Sequence, residues 1–549
     1  MNNKNRFSAF IIGLFVFVFA TSCAPTSHND GQDYYDPEHR PFGRYDEPVV
    51  INGVMEFLSH NDSRVPSSIT PETNVFIKKL KEEMNIEWRY MWKVPSSQYE
   101  NKLTATILSK NYPDILRLNA SQYNNFLKQG LLKDLTETYK YASPKVQEYL
   151  NRDPEVIERL KQDDGKIYTI PQYDDIKREV PVMYFRKDWL EKEKLSIPKT
   201  PAELKNVLKV FKEKYNATAG LAMSKSISGS HFSINRYLQM FGSNPFSFVK
   251  DSNDKLIASE VTNESKNALT YLADLFKSGL LDPNFGSNDA TMVESNVKQQ
   301  KTGVIFGPWW QYEFPLADLL PSQDWGAAEI PLEEGAKLVL PKQQITYYYV
   351  VLKKCKNPET LMKMINAYIE WDGAEGCKAE DGYVWSWCPT QFYDPYDINM
   401  QYTEMNKKLE TDPTASGEPD PTWPNHLKKL WEVYPDYLSW KEDHGSVKFQ
   451  ANYFSNIIGR INKDGAWAAI NNTYEKNNYV FNEYYSTPTN AQYDFGSQIA
   501  THTEVYFAKA IMGEKNTTSD WDAYVKEWYN LGGTEVMESI NEWYRSHKG

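Results

Sequence analysis

From residue 49 onward the chain alternates short β-rich apolar runs with stretches of helical spacing. That alternation confines it to folds built from β–α–β units around a parallel sheet. Residues 49–58 read as a first strand, and 73–84 as a helix with Val75, Phe76 and Leu80 on one face and Thr70 or Thr73 as its cap. Residues 86–92 form the next strand, 99–109 a helix and 112–116 a third strand; a helix over 122–129 is stopped by Gly130. The turn at Asp163-Asp164-Gly165 enters a strand ending at Pro171, and 180–186 reads as a strand leading into a helix over 187–195. Thr200-Pro201-Ala202-Glu203 combines a Thr cap, Pro at the first helical position and Glu at the third, so a helix runs from there to about Tyr215. Further helices are expected over 266–278 and 358–371, strands over 303–306 and 346–352, and mostly helix beyond 400.

The N-terminus says where such a fold works. Lys4 and Arg6 precede an apolar run over 7–20, and Ala20-Thr21-Ser22 stands directly before Cys23. The run is shorter than the ~20 residues of a spanning helix and reads as a secretory signal with a lipobox-like cut site. Thioether lipidation at Cys23 would anchor the mature chain on the extracytoplasmic face of the cell membrane. The alternative is an ordinary cleaved signal with a chance cysteine. Residues 24–48, polar and rich in Pro, Gly and Asp, read as a tether.

A net charge of −12 argues against a nucleic-acid partner. Cys355, Cys377 and Cys388 are too few for a disulfide framework; Cys377 and Cys388 could pair, with buried free thiols the other reading. The eight histidines are scattered without a metal-ligand spacing, and G-x-S-x-G, P-loop and G-x-G-x-x-G motifs are absent, so neither metal nor cofactor is expected. Aromatic residues are abundant, at 14% with 16 Trp and 37 Tyr. Trp and Tyr suit surfaces that are apolar on one side and wet on the other, as a sugar site requires.

Five motifs carry a resemblance: Gly165-Lys166-Ile167-Tyr168-Thr169-Ile170-Pro171, Tyr184-Phe185-Arg186-Lys187-Asp188-Trp189-Leu190, Pro198-Lys199-Thr200-Pro201-Ala202-Glu203-Leu204, Gly303-Val304-Ile305-Phe306-Gly307-Pro308-Trp309-Trp310, and Pro113-Asp114-Ile115. In their order along the chain, from about residue 49 to 390, they resemble the extracellular solute-binding proteins (family 1) of carbohydrate ABC importers, in particular the large oligosaccharide-binding lipoproteins. The resemblance implies a two-lobed periplasmic-binding-protein-like fold (type II), with α/β parallel-sheet lobes joined by a hinge and a helical C-terminal region. Lobe 1 would comprise 48–171 and 346–376, and lobe 2 177–340 and 380–549, with crossings near 171–180, 341–347 and 373–385. It also implies a monomer that delivers its ligand to an ABC permease and ATPase. Some large relatives carry a calcium loop after the Lys/Glu-rich helix; residues 215–221 lack its carboxylates, so no calcium is expected there.

A sugar presents a C–H face to aromatic planes and hydroxyls to polar side chains. Trp309, Trp310 and Tyr312, after a strand and a Gly-Pro turn, fall where family members place a stacking aromatic. Trp385 and Trp387 lie in an alternating segment near the third crossing, and Tyr90 and Trp92 end an early strand. Asn119 and Gln122 are candidate hydroxyl partners, and Arg178 could grip a sugar carboxylate. Core packing is the competing reading for each Trp, and of an adjacent pair one usually faces the cleft. Three functions remain open: an oligosaccharide-binding lipoprotein, a secreted polysaccharide hydrolase or lyase, and an outer-membrane glycan-capture lipoprotein of helical-repeat type. The early β–α–β pattern and the lack of a repeat period count against the last.

Overall fold

The computed structural model describes residues 38–57, 64–162, 164–229, 231–342 and 344–547. Cys23 and most of the tether lie outside them. The expected alternation is present. Strands β1 (Val49–Phe57) and β2 (Ile86–Pro95) flank the helix Val75–Met84 and pair in parallel. Asn74, not Thr70 or Thr73, caps that helix by accepting from the Phe76 amide. The two threonines are consumed by a turn of their own, where the Thr70 amide donates to Thr73 Oγ1 at 2.8 Å. Strand β3 (Ile115–Leu118) starts after Pro113, later than expected. Asp114 accepts from the Asn52 amide and side chain at 2.8 and 2.7 Å and so ties β3 to β1.

Strand β4 (Ile170–Asp174) begins where a strand was expected to end, because residues 170–174 pair with β12 (Gln344–Val351). A 3-10 turn over Ile176–Glu179 leads into β5 (Val182–Arg186). The helix Pro201–Tyr215 has the full capping box expected of it: the Glu203 amide donates to Thr200 Oγ1, and Glu203 accepts from the Thr200 amide. Strand β6 (Gly220–Ala222) follows, then the hairpin β7 (Phe248–Lys250) and β8 (Leu256–Ala258), then β9 (Thr302–Gly307), β10 (Trp325–Glu329) and β11 (Leu338–Pro341), with β13 (Tyr479–Asn482) late in the chain.

The sheets are mixed rather than wholly parallel. β6 runs parallel to β9, as β1 does to β2, because helices connect them. β12 lies antiparallel between β3 and β4, and β5 antiparallel between β10 and β9.

Burial divides among several cores. One gathers Phe76, Leu80, Ile86, Met362 and Ile365, and extends to Tyr383, Cys388 and Phe392. A second runs from Val180 to Tyr544. A third, separate core joins Leu427, Trp431, Tyr437, Trp440 and Phe454 on the helices Asn425–Glu442 and Ala451–Asn456. Two sequence expectations change accordingly. Tyr383, Cys388 and Phe392, beyond the end assigned to lobe 1, pack with the first core. The late helices divide between the second core and a body of their own. Cys355, Cys377 and Cys388 are buried free thiols.

Candidate functional site

One cavity of about 860 Å³ is lined by residues from the segments around 145–149, 178, 347 and 368–401, the turn after β9 and the late helices. The turn is built by close approach. A Cβ on Gly307 would stand 2.1 Å from Gln311 Nε2, and the buried Tyr184 hydroxyl donates to the Pro308 carbonyl at 2.6 Å. With Gln311 and Tyr184 packed beneath it, the turn presents Trp309 and Trp310 to the cavity.

The two tryptophans differ in what already covers them. The guanidinium carbons of Arg178 and Arg460 lie over the Trp309 ring at 5.5 and 5.0 Å, and Trp467 packs edge-on against it at 6.2 Å. Trp310 is half-buried, with the His231 ring 5.2 Å away. Trp385, on the cavity wall, is 57% exposed. Its position comes from Asn74, whose side chain donates to the Val384 carbonyl at 2.8 Å while capping the helix Val75–Met84.

Trp309, Trp310, Trp385 and Arg178 therefore meet around one cavity, and the other six candidate residues do not. Tyr312 is 1% exposed and donates to the Trp325 carbonyl at 2.8 Å. Trp387 is buried and stacks on Phe57, because Trp385–Trp387 forms a 3-10 turn. With three residues per turn, positions i and i+2 point to different sides, whereas a strand would have put them on one. Tyr90 lines a separate cavity of about 50 Å³ and donates to the Trp387 carbonyl at 3.3 Å. Trp92 donates to Thr106 Oγ1 at 2.9 Å. Asn119 and Gln122 are spent on each other as the capping box of the helix Ala120–Lys128.

Arg178 is occupied as well. It pairs with Asp397 and, at 3.2 Å, with Asp174, and Tyr393 lies 4.9 Å below it. Burial alone would lower its pKa, but Asp397 and Asp174 more than offset that and raise it. Arg460 donates to Glu313 Oε1 through Nε at 2.8 Å and to Gln401 at 3.1 Å. Asp394 on the same wall takes Arg152 at 2.9 Å.

The sequence reading missed Asp372, Tyr347, Tyr393, His426 and Arg460, all lining the cavity. No local motif marks them; only tertiary structure brings their segments together. Asp372, just past the helix Thr360–Trp371, stands exposed on the wall. Desolvation within the cleft, with Asp397 adding, raises its carboxyl from 3.8 to about 6. His426, placed against Gln401 at 3.0 Å, is lowered to about 4, mainly by desolvation. Among the described residues no group of three or more His, Cys, Asp or Glu could hold a metal ion, and no helix is long and apolar enough to cross a membrane.

Two α/β lobes and a large cleft lined by aromatic rings are the architecture of a solute-binding protein. Residues 67–374 match the model of the bacterial extracellular solute-binding proteins, and the chain belongs to that family. It is similar to the Bacillus subtilis lipoprotein LipO, 27% identical over 250 residues that cover 44% of this chain and 47% of LipO. It is also similar to the B. subtilis polygalacturonan/rhamnogalacturonan-binding protein YtcQ, 28% identical over 56% of this chain and 58% of YtcQ. The matches thus span about half the length of these curated relatives. In three dimensions the fold is that of alginate-binding protein AlgQ2, with a TM-score of 0.62 at 16% identity, covering 92% of this chain and 100% of that one.

Proposed function

We propose that this protein captures an oligosaccharide in the cavity among Trp310, Trp385 and Asp372 and delivers it to an ABC import permease. The observation that carries this reading is Trp385: a large aromatic side chain left 57% exposed on the wall of a deep cleft. Leaving such a ring in water forgoes its burial, and stacking on a sugar recovers it. Trp310 is the second platform, Asp372 accepts from sugar hydroxyls, and Trp309 serves as inner wall.

YtcQ and AlgQ2 support carbohydrate as the ligand class through their names alone. Lobe 1 comprises residues 48–171 with 346–392, and lobe 2 177–340 with the late helices. The body around Trp431 covers one side of the cleft through His426 and Tyr453. Closure about the crossings is a hinge motion that the permease reads. The chain acts as a lipid-anchored monomer, held through Cys23 on the outer face of the cell membrane, and has no catalytic turnover.

A thermal-shift screen against plant and microbial oligosaccharides tests this. Ligand at ~100 times its dissociation constant stabilises the native state by about 2.7 kcal/mol, a shift of several degrees. The expected result is a shift with the sugar recovered intact. Cleaved sugar would overturn the non-catalytic reading, and silence across the whole panel the carbohydrate one.

A further inference from the structure

Resting on that reading, we infer that the cleft selects neutral oligosaccharides and turns away polyuronides, and that Asp372 enforces the choice. The cavity wall carries three cations, Lys145, Arg178 and Arg460, against four carboxylates, Glu313, Asp372, Asp394 and Asp397. The guanidiniums are the groups that would fork onto a uronate carboxylate. Both are already neutralised within the chain, Arg178 by Asp174 and Asp397 and Arg460 by Glu313.

Freeing either would strand a carboxylate on the same wall, so a uronate gains no net pairing from displacing it. Asp394 is likewise matched by Arg152. Two wall charges remain without an ion-pair partner among the described residues: the ammonium of Lys145 and the exposed carboxyl of Asp372. One lysine cannot serve a chain that bears a negative charge on every sugar unit, and Asp372 opposes each unit placed near it. A neutral sugar meets no such opposition. Its hydroxyls donate to Asp372, and its ring faces lie on Trp310 and Trp385.

Calorimetric titration of the full chain with neutral oligomers (xylo-, manno-, fructo- and malto-oligosaccharides) and with oligogalacturonides and alginate oligomers of matched length decides it. The expected result is a neutral ligand binding at least about tenfold more tightly than any uronide. Residual uronide binding should strengthen as salt rises, since salt screens repulsion; recognition by basic residues would weaken instead. Asp372→Asn should narrow the gap by severalfold by improving the uronide. A uronide that binds as tightly as the best neutral sugar, or an unaltered preference in Asp372→Asn, overturns the inference and leaves sugar capture standing. Binding of neither class overturns sugar capture itself and this inference with it.

Discussion

Replacing Trp385 with alanine separates ligand contact from core packing more cleanly than any other change in this molecule. A tryptophan side chain buries up to ~250 Å², and this one is 57% exposed, which leaves roughly 140 Å² in water. A sugar stacked on one face covers about half of that, ~70 Å². At ~25 cal/mol per Å² the ring contributes about 1.8 kcal/mol to binding, so the alanine variant should raise Kd by 10- to 30-fold. The other ~110 Å² of the ring is covered by the protein, so by the same measure stability should fall by no more than about 2.7 kcal/mol. Titration calorimetry with the tightest sugar from the screen measures the first quantity and chemical denaturation the second. A Kd unchanged within a factor of about two would refute the placement of ligand against Trp385. A larger loss of stability would show that the exposed ring is a structural element.

Tyr312→Phe removes one buried hydrogen bond to Trp325 and should cost about 1 kcal/mol of stability while leaving sugar affinity unaltered; a change in Kd by titration would return Tyr312 to the site. Arg178→Ala strands Asp174 and Asp397 in a half-buried wall and should destabilise the fold by about 3 kcal/mol in urea denaturation, whereas the further change Asp397→Asn should recover part of that loss. The Asp372 carboxyl is raised to about 6 in the folded state from 3.8, so the native state holds its proton more tightly. The stability this contributes is complete below pH 4 and lost as pH rises through 6, and that decline should be missing from Asp372→Asn. His231 behaves oppositely. Desolvation first, and Arg236 second, lower it from 6.5 to about 4, so its contribution is present above pH 6.5 and lost as pH falls through 4. Denaturation midpoints of His231→Phe across that range should accordingly show a weaker acid dependence than the parent.

What sequence alone determined about this protein is what neighbours along the chain decide. The Thr200–Glu203 box, Pro201 and the apolar spacing up to Tyr215 set a helix whose ends match the structure, because every interaction involved spans four residues or fewer. The same local logic was available at Asn119 and Gln122. Their N-x-x-Q spacing is itself a capping box, and reading them as sugar ligands overlooked that the helix start already uses both side chains. The order of the strands and helices, and the family they resemble, followed from signals of this kind.

Tertiary structure alone decided which side chains face the cleft. Trp385 and Trp387 are indistinguishable by type and spacing until a 3-10 turn, tied down by Asn74 some 310 residues earlier, turns one to water and the other onto Phe57. Arg178 reads as an available cation until Asp397 arrives from 219 residues further along the chain. Asp372 carried no signal at all, since its raised pKa comes from surroundings assembled from distant parts of the chain. Burial and charge pairing are sums over neighbours in space, so a linear order of residues contains them only once the crossings have folded it back on itself.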